Sequence, residues 1–299
     1  MQTPIKFHKY SILPPELRNH VLTYQHSETL LNYSQCSKYC NSEIQKFNTK
    51  PPSCVEIIEN YDCVSVFVFY GSKHSRCVSN FFPLDEVEDT MEAVKTLLFE
   101  VYKNLKDEQT KKFNIDLKKW PTEIVKVKGA QELVVRMYNS MLDNFVEFVQ
   151  TSTIKVKKLR LEDQTNLVKI NKEQAKRIFK SKFFTTLEEV SISLDCEIDD
   201  EDFLGFKNPT MKLKLKNVSI SDDAIRQKVT QLNNSIECQK IVIEAPRNGS
   251  YSFDMRSLFP NENRIEMYGY SYCEIGTVRV EFYNRGHKLI ISKRPTDDL

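Results

Sequence analysis

The sequence predicts a mixed α/β or α+β protein in which a small helical module precedes an irregular stack of strand–helix units that ends in a β-hairpin. Residues 9–48 place apolar side chains at helical spacing, which indicates helices with one apolar face. After residue 155, short segments alternate apolar with other side chains, and this period of two is typical of strands with one buried face. The run VRVEFYNRGHKLII at 278–291 shows that alternation on both sides of Asn284–Gly286, so we expect a hairpin there.

The composition is that of a folded protein without a general affinity for polyanions. Of the 299 residues, 40% are hydrophobic and 11% aromatic, which is enough to bury a sizeable core. The 43 basic and 41 acidic side chains give a net charge of only +2, so we expect neither nucleic acid nor membrane as a partner. The longest apolar run, Cys63 to Tyr70, is far shorter than the roughly 20 residues of a membrane-spanning helix. The amino terminus lacks the apolar run of a signal peptide, and we expect a cytoplasmic or nuclear protein.

No group of residues predicts catalysis, a cofactor or a bound metal. The eight cysteines of a protein in a reducing compartment are expected to be small buried hydrophobes rather than disulfides or metal ligands. His74 and Cys77 are close in sequence, but spacing alone does not define a catalytic dyad. The acidic run from Glu197 to Asp202 lacks the ligand spacing and the glycine of a calcium loop, so we expect a solvated loop. The sequence therefore predicts a protein that is not an enzyme.

The amino-terminal module has more apolar surface than it can bury by itself. Pro14 and Glu16 favour the start of a first helix, because proline is tolerated in the first turn and a carboxylate stabilises the helix dipole there. The apolar positions are Leu13, Leu17, Val21 and Leu22 in the first helix, Leu30 and Leu31 in the second, and Cys36, Cys40 and Ile44 in the third. About forty residues cannot bury three such faces against one another, so the module needs the rest of the chain or another protein as a partner.

The run LPPELRNHVLTYQHSETLLNYSQCSKYC, residues 13–40, resembles an F-box. In that family the matching positions dock on a Skp-type adaptor, which links to a cullin. These positions are Leu13, Pro14, Leu17, Val21, Leu22, Leu30, Leu31 and Cys36. Gln25 stands where the family usually has leucine. The resemblance implies that residues 8–50 form an F-box and that the chain recruits a protein substrate to a Skp–cullin–F-box ubiquitin ligase. The alternative is a helical hairpin that only caps the chain's own core.

Between the module and the later repeats, the sequence predicts strands followed by two helices. Pro51 and Pro52 end the helical module. The alternation across 54–70 indicates β-structure. Apolar side chains at helical spacing predict one helix over about 91–105 and a second over about 130–150.

From residue 155 a strand pattern recurs. The predicted strands are KKLRL (157–161), EVSISL (189–194), MKLKL (211–215), KIVI (240–243) and RIEM (264–267). Asn171 and Ser221 are candidate caps of helices between them, the second of which carries its apolar face to Ile236. The strands recur near the interval of about 20–30 residues of leucine-rich repeats, so we expect a degenerate leucine-rich-repeat-like stack. The order of helix, strands and final hairpin also resembles nematode F-box proteins with an F-box-associated domain, and it implies a substrate-recognition domain over 51–295.

The strand alternation also predicts a surface for the protein substrate. The side chains expected opposite the core are Lys158, Arg160, Glu189, Lys212, Lys214 and Lys216. Such a face is basic with an acidic stripe and would favour an acidic protein segment. Alternating lysines that only keep a sheet soluble are the alternative. The hairpin around Tyr283 and Arg285 is a second candidate surface. Without a link to ubiquitin, the same features predict a non-catalytic leucine-rich-repeat-like scaffold for protein interactions.

Overall fold

A computed structural model describes residues 52–70, 76–83, 92–98, 110–118, 120, 130–152, 154–163, 165, 167–215, 219–237, 239–245, 253–283 and 287–293. The F-box-like run lies outside these residues, so the three-helix module and its Skp-facing positions stay predictions. The chain divides into two compact units, Met1–Thr110 and Lys111–Leu299.

The described part of the first unit is an antiparallel meander followed by a helical segment. Its strands are β1 (Cys54–Glu59), β2 (Cys63–Tyr70) and β3 (Arg76–Pro83), paired in that order. The alternating valines of β2 are buried, so the predicted β-structure over 54–70 is confirmed, as two strands rather than one. Residues 92–98 form helix α1, which lies within the predicted helix.

The second unit is built on one large mixed sheet. Its strands are β4 (Thr110–Asp116, which begins at the unit boundary), β5 (Ala130–Arg136), β6 (Lys158–Glu162), β8 (Glu189–Ser193), β10 (Thr210–Lys214), β11 (Lys240–Glu244), β12 (Arg264–Met267), β13 (Tyr270–Ile275), β14 (Val278–Tyr283) and β15 (Lys288–Lys293). Neighbouring strands follow the order β12-β13-β14-β15-β11-β10-β8-β6-β5-β4. The strands β5, β6, β8, β10 and β11 are parallel, and β15, β14, β13 and β12 extend the sheet antiparallel. β7 (Lys169–Ile170) and β9 (Asp195–Cys196) pair separately.

Helices connect the parallel strands, as parallel pairing requires. They are α2 (Leu142–Thr151), α3 (Lys172–Phe179), α4 (Lys182–Thr185), α5 (Asp200–Gly205) and α6 (Asp222–Asn234). A further short helix, α7 (Met255–Leu258), lies between β11 and β12. Both predicted caps are confirmed. Asn171 forms a capping box with Gln174, and the Ser221 hydroxyl accepts a hydrogen bond from the Ala224 N–H at 3.1 Å. These caps satisfy N–H groups that the first turn of a helix cannot pair internally.

The core of the second unit lies on the helix side of the sheet. Alternate residues of the parallel strands are buried there, namely Leu159, Leu161, Val190, Ile192, Met211, Leu213, Ile241 and Ile243. An aromatic layer adds to it, with the Trp120 ring 5.1 Å from Phe145 and 4.8 Å from Phe148 between centroids, and Phe179 5.0 Å from Phe206. Burying one such side chain stabilises the fold by about 1.5–3 kcal/mol, so this layer is a principal source of stability.

Two buried amides bridge successive strand–helix units. The side-chain amide of Asn208 donates to the carbonyl oxygens of Phe184 at 2.9 Å and Leu187 at 3.0 Å. Gln239 stands before the next strand, and its amide donates to the carbonyls of Phe206 at 3.0 Å and Asn208 at 2.9 Å. The Phe184 carbonyl also accepts from the Leu187 N–H at 3.2 Å, and the amides supply further donors to buried carbonyl groups that water does not reach.

Two lysines pair the carbonyls at helix ends. Lys228 donates to the carbonyls of Leu204 at 3.2 Å and Phe206 at 2.6 Å, at the end of α5. Lys293 donates to the Leu232 carbonyl at 3.0 Å, at the end of α6. A cation near the negative end of a helix is favourable. Burial nonetheless disfavours the charged form and lowers the pKa of Lys228 to about 8.

The predicted helix over about 130–150 is wrong in its first half. Ala130–Arg136 is strand β5, parallel to β6, and the helix begins at Leu142. Val134 and Val135 have the β-branched side chains that fit a sheet, and pairing with β6 satisfies the backbone. The helical spacing in the sequence arises because a strand and a helix follow each other with little between them.

The predicted repeat strand at 264–267 is wrong as a member of the parallel stack. β12 covers these residues, but it pairs antiparallel with β13. Ile265 and Met267, expected in the core, are 49% and 64% exposed. In the described part of the chain β12 has no neighbour on its other side, so the sheet ends there.

Two smaller predictions are also wrong. Helix α6 ends at Asn234, and Ile236, expected on its apolar face, is 98% exposed. The acidic run is not a solvated loop throughout. Asp199 caps α5, its carboxylate accepting from the Asp202 N–H at 2.8 Å, and Asp202 is buried. Acidic residues suit a helix start because they offset the positive end of the helix dipole.

Candidate interaction surface

The sheet of the second unit has a face opposite the core residues named above, which we call the open face; it is one side of β5, β6, β8, β10, β11, β15, β14, β13 and β12. Three of the described residues on this face, Val134, Val242 and Ile290, are themselves buried. Lys158, Lys212 and Lys214 lie exposed on this face, and Arg160 and Glu189 are partly exposed. The orientation predicted from the alternation is therefore confirmed for these five residues. Lys216 lies outside the described residues. Binding of a substrate by this face stays a prediction.

The charges on the open face are placed side by side in opposite pairs. Glu189 bridges two strands, with its carboxylate oxygens 3.0 Å from the Lys158 ammonium and 2.5 Å from that of Lys212. The Arg160 guanidinium Nη2 lies 3.1 Å from the Glu132 carboxylate Oε1. Hydrogen bonds from Lys212 and Lys158 lower the pKa of Glu189, and the bond to Glu189 raises the pKa of Lys158. Because Glu189 and Glu132 offset the charges of Lys158, Lys212 and Arg160, the open face is less positively charged than its number of lysines and arginines suggests.

Lys214 differs from Lys158, Arg160 and Lys212 on this face. Within the described part of the chain it has no ion-pair partner, whereas Lys158, Arg160 and Lys212 each have one. Exposed ion pairs contribute only about 0–1 kcal/mol to stability, so the pairing leaves these side chains free to exchange partners at little cost. The open face can therefore bind a charged segment by exchanging its own pairs for new ones.

A tyrosine cluster occupies the antiparallel end of the open face. The ring centroid of Tyr270 lies 5.6 Å from that of Tyr272 and 4.6 Å from that of Tyr283. Arg279 lies over the Tyr272 ring, 4.0 Å from its centroid, and donates to the Tyr270 hydroxyl at 2.5 Å. That hydroxyl donates to Glu281 at 2.9 Å. Burial raises the pKa of Tyr270 above its ordinary value. Rings fixed in this way present aromatic surface at a low entropic cost.

The sequence predicted only part of this cluster. Tyr283 lies in the predicted hairpin, whose strands β14 and β15 are confirmed, while Arg285 lies outside the described residues. Tyr270 and Tyr272 belong to β13, a strand that the sequence reasoning missed. Their spacing of two, Tyr-Ser-Tyr, was the available signal, since it places both rings on one side of a strand.

The lysine rows and the tyrosine cluster share one face of one sheet. Cross-strand register connects them in a single row of neighbours, which runs Arg160, Ser191, Lys212, Val242, Ile290, Glu281, Tyr272 and Ile265. Charged side chains form one end of the row, and Glu281, Tyr272 and Ile265 form the other. Val242 and Ile290 between them are buried. A bound segment that contacts both ends would therefore cross this buried stretch.

The described cysteines are mostly buried thiols. Cys54, Cys196 and Cys273 are buried and Cys63 is partly exposed, and none of these four described cysteines is in a disulfide. Burial raises the pKa of Cys273 to about 11 and also raises that of Cys196. Neutral thiols are weak nucleophiles and poor metal ligands, so these two are inert at neutral pH. In the part of the chain that the structure describes, no helix is long and apolar enough to span a membrane.

Comparisons with known proteins found no relative of this chain. No protein-family model, no curated protein and no solved structure matches it.

Proposed function

We propose that this chain is a substrate-recognition adaptor of a Skp–cullin–F-box ubiquitin ligase. The F-box-like run at 13–40 carries the proposal, because its apolar positions need a partner and match in order those that dock on a Skp-type adaptor. The chain itself performs no chemical step. It holds a protein substrate in the cytoplasm or nucleus while other subunits transfer ubiquitin, and it needs no cofactor.

The second unit supports the substrate-binding half of the proposal. It combines parallel strands, connecting helices and an open face, as leucine-rich-repeat-like stacks do, and such stacks bind proteins on the uncovered face of their strands. Lys158, Lys212 and Lys214 supply cations at positions fixed by the strands. The tyrosine cluster supplies aromatic anchors, the residue type that contributes most to protein interfaces. A substrate segment with acidic and apolar side chains fits both parts.

A non-catalytic scaffold without a link to ubiquitin is the second candidate. The observation that favours it is that the open face and the tyrosine cluster lie wholly within the second unit. Their binding capacity does not require the amino-terminal module.

Capture of a Skp-type adaptor separates the two candidates. Leu30→Ala with Leu31→Ala should lose about 2 kcal/mol or more of apolar burial for each side chain, which weakens Skp binding by about three orders of magnitude. The measurement is co-purification of Skp and cullin with the full chain. Leu167→Ala, which truncates an exposed leucine, is the matched control and should bind normally. Undiminished Skp capture by the double variant would refute docking through this module.

The substrate surface is tested by charge reversal. Lys212, Lys214 and Lys216, each changed to Glu, should leave folding and Skp capture intact, because exposed substitutions shift stability by only about half a kcal/mol. Substrates identified by proximity labelling with the wild-type chain should no longer be recruited, and their cellular lifetimes should lengthen. Lys180, Lys182 and Lys207, each changed to Glu, impose the same charge change at exposed positions outside the strands and serve as the control. Normal substrate turnover with the strand variant would place recognition elsewhere.

A further inference from the structure

Strand β12 is a free edge of the sheet. Among the described residues it pairs only with β13, and all four of its side chains are exposed. It contains no proline, and its two charged side chains, Arg264 and Glu266, have opposite signs, so they protect the edge poorly against a strand of complementary charge. Ile265, Met267 and the neighbouring Tyr268 are among the most exposed large apolar residues of the described chain. An edge with these properties is a template for another strand.

The register shows which backbone groups of β12 are free. Tyr268 and Gly269, the latter at φ +73°, form a two-residue loop between β12 and β13. The pair Met267–Tyr270 next to the loop exchanges hydrogen bonds, and bonded pairs then alternate with unbonded pairs along the strands. The backbone N–H and C=O groups of Ile265 therefore bond to β13. Those of Arg264 and Glu266 point away from β13, in the plane of the sheet, toward the unpaired edge.

We propose that two copies of this chain associate through β12, antiparallel and with Ile265 at the two-fold axis. In this register Arg264 of one copy lies opposite Glu266 of the other, and Glu266 lies opposite the second copy's Arg264. Each of these two pairs uses the free backbone groups and also places opposite charges across the interface. The two Ile265 side chains meet between them on the open face, where each copy also has Tyr272.

The charge order of β12 indicates that the strand pairing with it belongs to a second copy of this chain. Arg264-Ile265-Glu266 reads cation, apolar, anion, and an antiparallel partner must read anion, apolar, cation opposite it. The strand itself meets that requirement, because reversing its direction reverses its charges. Ion pairs within the chain hold the Glu266 carboxylate at this edge. Its Oε1 lies 3.1 Å from Nε of Arg264 and 3.7 Å from Nη2 of Arg256. A parallel arrangement would instead place equal charges near one another.

The association is expected to be weak and reversible. A pair of four-residue strands buries well under the roughly 1,200 Å² of a standard interface, so we expect a dissociation constant on the order of 10–100 µM. Sedimentation equilibrium of the full chain from roughly 1 to 300 µM should show a monomer–dimer equilibrium. Ile265→Lys places two ammonium groups at the axis and should weaken dimerisation at least about tenfold. Circular dichroism checks that the variant is folded.

A charge-swap mixture tests the register. R264E presents two carboxylates along the edge and E266R two guanidinium groups, so each variant alone should be monomeric over this range. Mixed in equal amounts they should form a heterodimer, and the double variant R264E/E266R should again form a homodimer. K157E and E188K exchange the charges of the exposed Lys157–Glu188 ion pair outside β12 and serve as the control mixture.

The outcomes are separable. Dimers of the wild type, loss in each single variant and a heterodimer in the mixture support the proposed register. A wild-type chain that stays monomeric at about 300 µM overturns the proposal, even if another protein segment is found to pair with β12. A dimer that persists unchanged in Ile265→Lys, or a charge-swap mixture that stays monomeric, also overturns it. The proposal is independent of the adaptor function, since Skp capture by these variants reports on that separately.

Discussion

Replacing Asn208 with alanine tests whether the buried amides hold the strand–helix units together. Its side chain is 3% exposed and donates two hydrogen bonds, to the carbonyls of Phe184 and Leu187. Asn208→Ala removes both donors. The Phe184 carbonyl keeps the Leu187 N–H at 3.2 Å, whereas the buried Leu187 carbonyl loses its side-chain donor. Leaving one buried group unsatisfied costs about 1–3 kcal/mol, so we expect a loss of roughly that size in the free energy of unfolding. The backbone carbonyl of Asn208 still accepts from Gln239, so the substitution isolates the side chain.

The single tryptophan of the chain provides the assay. Trp120 lies in the second unit, buried against Phe145 and Phe148, and its fluorescence reports the unfolding of that unit. A urea titration followed by fluorescence and by circular dichroism gives the free energy if the two transitions coincide. Asn261→Ala, at an exposed asparagine, is the control and should change stability by less than about 0.5 kcal/mol. A loss for Asn208→Ala no larger than that of the control would refute the reasoning.

Asn208→Asp sharpens the same test. The aspartate shape is nearly that of asparagine, but a carboxylate offers only acceptors to two carbonyl oxygens, so this variant should be less stable than Asn208→Ala at pH 7. The environment raises the pKa of the introduced carboxyl above its unfolded value of about 3.9. Its stability should therefore recover as the pH falls toward about 4, where the protonated acid can donate. Asn208→Ala should show no such recovery.

Gly276→Ala should destabilise the second unit by about 1–3 kcal/mol in a urea titration, because φ is +60° and a Cβ would clash with the Asn233 amide oxygen; a loss below about 0.5 kcal/mol would contradict this. Glu189→Gln should cost stability at neutral pH but not in acid, because Lys212 lowers the pKa of Glu189 and its contribution is lost as the pH falls through that pKa. A difference from the wild type that stays constant down to about pH 3 would speak against it. The wild type should gain stability as the pH rises from about 8 to 10.5, because Lys228 binds its proton more tightly in the unfolded chain than in the folded one. Lys228→Met should abolish this gain. If the free energies of unfolding of the wild type and Lys228→Met change with pH in parallel, this role of Lys228 is excluded.

Local signals predicted the strands of the parallel stack well, and long-range pairing explains what they missed. β6, β8 and β10 follow the predicted alternation, because a strand with one face against helices must bury every second residue, whereas β11 also buries Val242 on its other face. The segment 130–136 was predicted as helix because short apolar runs fit either period, and only its pairing with β6 settles the choice. β12 has the same alternation as the others, but all four of its residues are exposed, and nothing in the described ranges covers them. Its exposure depends on its place at the end of the sheet, which no local pattern contains.

The candidate surface was predictable to the same extent. Period two placed Lys158 and Lys212 opposite the core, because buried neighbours fix the direction of their side chains. Their partnership with Glu189 was not predictable, since it depends on the register between three parallel strands. The tyrosine cluster likewise combines residues from β13 and β14, whose pairing sets the distances between the rings. The sequence thus indicated which face is open, and the pairing of strands determined what that face presents.

The proposed dimer and the proposed substrate surface are linked by the row of neighbours that crosses the sheet. In a continuous antiparallel pairing through β12, cross-strand partners lie on the same side, so the open faces of the two copies form one surface. The tyrosine clusters then lie at its centre and the lysine rows at its two ends. A substrate with two acidic segments would engage both copies, and the second contact would be intramolecular, which raises the apparent affinity without any new contact type. Ile265→Lys should therefore reduce recruitment of such a substrate while sparing one with a single acidic segment, whereas reversal of the lysines on β10 should reduce recruitment of both.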